Sequence, residues 1–298
     1  MMISGAVYGA LVADAFSLGA HWEYDVDIIK KTFPTYNKFY DPITSYHKNK
    51  KAGDFTHYGD QTLWLLESVS LLKEFSLSSY ATRWQEYMSK YEGYIDGASK
   101  ATLENFASGK SALQSGSNSQ DFSVVGRISS LVALSYIDEK HFEDDSVLQA
   151  KMTHNSQNSI DAIKFFSKLL YLVINGDTPT NAILTLQKNI DNQKIKDYIK
   201  VALLSKDYDT VEAINSFGQS CSTNCAFEST LHLILKYENS YEKAMKENVY
   251  AGGDSAARAM VTGMILGAYN GKQSIPKEWI NSLNNKDRIE KCLGFISE

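Results

Sequence analysis

The sequence predicts an all-α protein, a bundle of many helices in a single domain over residues 1–298. Three observations carry this. Apolar residues return at three- and four-residue spacing in several segments, strand-like alternation is scarce, and the four prolines leave long stretches free of helix breakers. With 43% hydrophobic and 22% charged residues, the chain has the composition of a soluble globule that buries a sizeable core.

The elements follow in chain order. Residues 5–20 are strongly apolar, but Asp14 interrupts them, no basic region precedes them, and the run is too short for a bilayer. A buried helix is expected there, in a cytoplasmic chain with no membrane partner. Leu65, Val69 and Leu72 mark the face of a second helix. Residues 105–120, rich in Ser, Gly and Asn, read as a loop. The amides and hydroxyls around Ser117 and Asn118 suit a phosphate, or the segment is an ordinary connection. Ile163, Phe166, Leu170 and Val173 form another helical face, Thr178-Pro179 reads as a cap with a first-turn proline, and Phe227, Leu231 and Ile234 form a further face. Gly263, Gly267 and Gly271 continue the four-residue spacing of Gly5 and Gly9. Small residues on one stripe let helix backbones approach, so the first and last of these helices are expected to pack centrally and bring Asp14 or Glu23 near Asp254.

A net charge of −5 without a basic cluster excludes a nucleic-acid partner, since phosphate binding needs a concentrated cationic face. The short run Lys48-Asn49-Lys50-Lys51 reads as a solvated loop. Cys221, Cys225 and Cys292 show no disulfide-framework spacing. On paper Cys221, Cys225, Glu228 and His232 resemble a zinc set, yet four ligands on successive turns of one straight helix cannot surround an ion tetrahedrally. Tyr8, Trp22, Tyr24, Tyr58 and Trp64 flank the first acidic motifs, as a stacking surface for a ring or as core.

Two Gly-Asp segments stand near the two ends of the chain, Gly59-Asp60-Gln61-Thr62 and Gly252-Gly253-Asp254-Ser255. Each Asp precedes a helical pattern, so each is either a helix cap or half of a divided active site. Arg258, four residues after Asp254 on the same helical face, either neutralises Asp254 or Asp60 or forms an ordinary surface i,i+4 pair.

These motifs, with Gly9-Ala10-Leu11-Val12-Ala13-Asp14-Ala15, Glu23 and the stretch from Gly263 to Gly271, resemble the ADP-ribosylglycohydrolase family from residue 3 to about residue 271. The resemblance implies an all-α globule with a dinuclear magnesium or manganese centre between early and late Asp motifs, cleaving ADP-ribose from proteins or small molecules. Two motifs depart from the family pattern. Its Thr-Asp-Asp-Thr is here Gly-Asp-Gln-Thr, and its Gly-Gly-Asp-Thr-Asp-Thr is here Gly-Gly-Asp-Ser-Ala-Ala, so Asp60 and Asp254 would hold magnesium or manganese weakly or not at all. This altered pattern is similar to the branch of the family that contains the J crystallins. By resemblance, Glu23, Asp60 and Asp254 would be catalytic, with Glu23 as the base, and Gln61, Thr62, Ser117, Asn118, His154, Ser255 and Arg258 would contact substrate. Two functions therefore stand. One is a hydrolase of an N- or O-glycosidic bond in an ADP-ribosyl or related nucleoside compound, and the other is an inactive nucleotide-binding or crystallin-like structural protein.

Overall fold

A computed structural model describes residues 2–134 and 138–297. Among the described residues there are sixteen α-helices, five short 3-10 helices and no strand. The all-α expectation holds.

The most extensive contact in the molecule joins the first helix, Met2–Ser17, to the Ser255–Asn270 helix. Both are buried along almost their whole length. Glycine makes this possible, because a Cβ added at Gly9 would lie 2.1 Å from the Gly263 carbonyl oxygen, and one at Gly5 would lie 2.0 Å from that of Gly267. The predicted stripe is thus real but one residue shorter than expected. Gly271 stands at the helix end with φ +77° and faces Gln273, not the first helix. The segment Met2–Ala20 is long and apolar enough to cross a membrane, yet 83% of it is buried inside the fold, where it forms the central helix.

Asp14 points from this central helix toward the start of the His57–Leu72 helix. Its carboxylate accepts the Thr56 N–H at 2.7 Å and the Thr56 hydroxyl at 2.6 Å, and Thr56 in turn caps the helix by accepting from Tyr58 N–H. Gly59 lets the carboxylate in, since a Cβ there would fall 2.4 Å from Asp14 Oδ2. Asp14 therefore orients the His57–Leu72 helix, and no hydrogen bond or ion pair joins it to Asp254 among the described residues. Burial pushes its carboxyl up to about 7, against the opposing hydrogen bonds from Thr56.

The remaining helices surround this pair. The Gln157–Ile174 and Thr223–Lys236 helices share an aromatic core of Phe165, Phe166 and Phe227, and Thr178 caps Pro179–Asn189 with the proline in its first turn. The loop expected over residues 105–120 starts later, because the Gly97–Ala107 helix takes its first residues. Lys50 is not solvated: its ammonium pairs with Asp60.

Two outcomes test this core. Gly9→Val is expected to destabilise the protein by about 3 kcal/mol or more, by overpacking a backbone contact, and to lower the urea midpoint. Asp14 favours its protonated form when folded, so its contribution to stability is full below about pH 4 and is lost as pH rises to about 7. Asp14→Asn keeps one acceptor and one donor for Thr56, and should remove ~3 kcal/mol of this pH-dependent loss between pH 5 and pH 8, measured by urea unfolding.

Candidate active site

The Ser255–Asn270 helix begins where the chain turns through Gly252 and Gly253, at φ +70° and +66°. This turn is held from two sides. Trp22 N–H donates to Gly253 O and Gly253 N–H donates to Glu23 O, which joins the early and late motifs through their backbones. Arg258, fully buried, donates to Gly252 O, to Gln219 O and to Asn248 Oδ1. Among the described residues Arg258 donates no hydrogen bond to Asp254 or Asp60. The guanidinium instead clamps the loop, and its charge reaches Asp254 only through space.

Asp254 caps its helix by accepting Ala257 N–H at 3.1 Å. Its other oxygen accepts the Tyr58 hydroxyl at 2.9 Å and the Trp22 indole N–H at 3.2 Å. Asp121, capping the 3-10 helix Phe122–Arg127, lies across Tyr58, whose hydroxyl also reaches it at 3.4 Å. Donor atoms of Asp121, Cys221 and Asp254 all lie within 4.8 Å of one another. No Lys or Arg forms an ion pair with Asp121 or Asp254 among the described residues, and His21 Nδ1 lies 3.8 Å from Asp254. Burial, and then the neighbouring Asp254 and Asp96 charges, push Asp121 up to about 7. Burial also raises Asp254, against donors that favour its charged form. Burial keeps the Cys221 thiol protonated.

Trp22, with φ +64°, lies over this group. Its ring stacks on His21 at 4.5 Å and meets Tyr46 and Tyr94 edge-on at 4.9 Å. Tyr24 and Tyr46 remain half exposed beside it. Tyr8 and Trp64 are elsewhere, against Lys272 and Tyr87 respectively, so only part of the predicted aromatic group gathers here.

Behind Tyr58 sits a second set. Asp96 caps the Gly97–Ala107 helix through Ser99 N–H, and its other oxygen is 3.4 Å from His57 Nε2. The Asp96 charge acts on Asp121, Tyr58, Tyr94 and His154. His154 is buried, and burial followed by the Arg127 charge holds it neutral, down to about 3.

Several expected site residues lie outside this arrangement. Asp60, four positions into its helix, faces Lys50 and Tyr91 at 2.5 Å each and touches none of the groups on Asp254. Tyr58, two residues earlier, takes the place expected for it. Gln61 is an interior hub, accepting from Trp84 and Arg127 and donating to Ser99. Thr62 bonds back to Tyr58 O within its helix, and Ser130 donates to Thr62 O. The Ser117 hydroxyl donates to Thr153 O, Asn118 is exposed, and the Glu23 carboxylate accepts its own loop's Asp25 N–H. The buried Ser255 hydroxyl has no partner among the described residues. The Cys225, Glu228 and His232 set does not assemble, since His232 is taken by Ser205 and Thr210. The sequence marks Tyr58 only as one of the aromatics beside the first acidic motif, and does not mark Asp96, Asp121 or His57. A signal existed for two of them: like Asp254, Asp96 and Asp121 are Asp caps followed shortly by Ser.

Residues 2–297 match the family described as ADP-ribosylglycohydrolase. The chain belongs to the ADP-ribosylglycohydrolase family. Crystallin J1A and Crystallin J1B of Tripedalia cystophora are each 25% identical to it, over 98% of this chain and 95% of theirs. A solved structure described as an ADP-ribosylglycohydrolase-related protein complex superposes with a TM-score of 0.78 at 18% identity, covering 99% of this chain and 96% of that one, and shows the shared fold. A paired hard-cation centre of the kind the family pattern implies does not fit these residues. Ala256 and Ala257 offer no side-chain donors, Asp60 is turned away, the oxygens of Asp254 already accept three N–H or O–H donors, and the third member of the remaining Asp121, Cys221 and Asp254 set is a soft thiol. That set has donors for one ion at most.

Replacing the clamp tests its role. Arg258→Met should leave the Gly252 carbonyl and Asn248 Oδ1 without their donor, while Gln219 O keeps the Asp254 N–H, and cost about 2–4 kcal/mol of stability, read by urea unfolding.

Proposed function

We propose that this chain hydrolyses an N- or O-glycosidic bond in an ADP-ribosyl or related nucleoside compound without a dinuclear metal centre. The observation that supports this is the close Asp121 and Asp254 pair, with which no Lys or Arg forms an ion pair among the described residues, the Arg258 charge acting on Asp254 only through space. Two adjacent carboxyls in a buried setting hold one proton between them, which gives an acid and a base from one residue type. Asp254, with donors from Tyr58, Trp22 and Ala257, is the member that keeps its charge. Asp121 keeps the proton.

In this reading Asp121 protonates the departing nitrogen or oxygen as its bond to the anomeric carbon breaks. The Asp254 carboxylate offsets the positive charge that develops on the sugar. Water then adds to the anomeric carbon and returns a proton to Asp121, so the pair ends as it began. Two carboxyls this close fall near the spacing of configuration-retaining glycosidases, well short of the wider spacing of inverting ones. Glu23, expected as the base from the resemblance, is second choice because its carboxylate is engaged by Asp25 N–H.

The second reading is a binding or structural protein, favoured by the likeness to the two crystallins and by Trp22 covering Asp254. Turnover decides between them. ADP-ribosylated peptide and small-molecule glycosides should be cleaved equally well in EDTA and in magnesium or manganese, and Asp254→Asn and Asp121→Asn should each lower the rate by about 100-fold or more. A melting shift with ADP-ribose but no cleavage of any of these compounds would leave the binding reading.

A further inference from the structure

The chain departs from the family's metal motif at Asp254, and the fold sets a cysteine beside that residue. The Cys221 sulfur and one oxygen each of Asp121 and Asp254 lie within 4.8 Å of one another. A four-coordinate zinc ion, with bonds of about 2.0–2.3 Å, keeps its donors about 3.5 Å apart, so these atoms already stand near the spacing such an ion needs.

Backbone hydrogen bonds hold the three donors together. Phe122 N–H donates to Cys221 O at 2.9 Å and Thr223 N–H to Gln120 O at 2.8 Å, which pairs the Asp121 and Cys221 segments in antiparallel fashion. Asp254 N–H donates to Gln219 O at 2.8 Å, tying the third donor to the same Cys221 segment, and Arg258 holds that oxygen as well. Donors from three distant parts of the sequence are thus fixed by main-chain contacts, which lowers the ordering cost of taking up an ion. The carboxylates are oriented too: Asp121 Oδ1 accepts Ser123 N–H at 2.8 Å, and Asp254 accepts Ala257 N–H on one oxygen and Tyr58 and Trp22 on the other. Outer hydrogen bonds of this kind aim a metal-binding carboxylate, and with about four lone-pair sites Asp254 retains one.

The donor types select the ion. Magnesium and manganese favour six oxygens, and this set supplies two carboxylates. Its third member is a thiol, which as thiolate is a soft donor of no use to a hard cation. Two carboxylates and one thiolate suit zinc or cadmium, with water completing four-coordination. No Lys or Arg ion pair among the described residues competes for either carboxylate.

We propose that Asp121, Cys221 and Asp254 form a mononuclear site for a thiophilic divalent cation of the zinc type, and that its occupation shuts off the acid step by displacing the proton shared by the carboxyl pair. Binding releases that proton and the Cys221 thiol proton to solvent, and leaves two carboxylates and a thiolate on the ion. With both carboxyls ligated, no acid remains for a leaving group. The shut-off rests on the hydrolytic reading, and binding of the ion does not.

The test titrates the full chain, reduced and stripped of metal, with Cd2+, Zn2+ and Mg2+ by calorimetry and ultraviolet absorption. One equivalent of Cd2+ should bind, with a thiolate-to-metal charge-transfer band, about 1,000-fold or more tightly than Mg2+. Cys221→Ser should abolish the band and weaken Cd2+ binding about 100-fold or more, whereas Cys225→Ser should keep both. If Cys221→Ser does not fold, Asp121→Asn, which still caps its helix, should weaken Cd2+ binding by a similar factor. Equal affinity for Cd2+ and Mg2+, no band, or an unchanged band in Cys221→Ser would each overturn the site. Where a glycoside is cleaved, one equivalent of Zn2+ should lower the rate about 100-fold and EDTA should restore it; full activity with the ion bound would overturn the shut-off. The band without cleavage of any glycoside would keep the site and remove the hydrolytic reading together with the shut-off. Cleavage without the band would keep that reading and remove the site.

Discussion

The backbone contact between Gly5 and Gly9 on one helix and Gly263 and Gly267 on the other is the constraint on which the rest of the molecule depends. It brings two helices from opposite ends of the sequence into van der Waals contact with no side chains between them. From that seam, Asp14 reaches out to fix Thr56 and with it the start of the His57–Leu72 helix. The other helix carries Asp254 at its first turn. Tyr58 and Asp254 then meet at 2.9 Å because each is tied, within a few residues, to one of the two central helices.

Much of this architecture could be read from residue spacing. The glycine repeat predicted the central pair, the 3.6-residue periodicity predicted the helix faces, and Thr178-Pro179 predicted a helix start. The site was less legible. The Gly-Asp motif drew attention to Asp60, but helical geometry decides which side chain looks inward. From a helix that starts at His57, Tyr58 projects toward Asp254, while Asp60 projects toward Lys50 and Tyr91. Gly59 looked like a lost ligand position, and its smallness is explained by the Asp14 carboxylate that fills the space. Asp96 and Asp121 each cap a helix. That Asp121 converges with Asp254 is a tertiary fact, set by how two helix starts are oriented, and no local pattern encodes it.

The divergence from the family motif has a coherent physical form. Where paired cations would demand several oxygen ligands, this chain has a tyrosine hydroxyl, an indole N–H and a helix N–H on one carboxylate. Hydrogen-bond donors have taken over the stabilisation of Asp254, and the neighbouring alanines remove oxygens that would otherwise be buried and unpaired. Arg258 supplies positive charge to the loop, but spends its hydrogen bonds on carbonyl oxygens.

The seating of Arg258 also determines how this region loosens. Its backbone belongs to the central helix, and its guanidinium holds Gly252 O and Gln219 O, on segments that also carry Asp254 and Cys221 nearby in sequence. Neither segment can detach while that helix keeps its place in the core. Loops around many binding sites open in local fluctuations of low free energy, but here the segment from Gly252 to Asp254 shares the cooperative unit of the central pair. Its amides would exchange with solvent on the timescale of global unfolding, so this wall of the site is rigid before any ligand arrives.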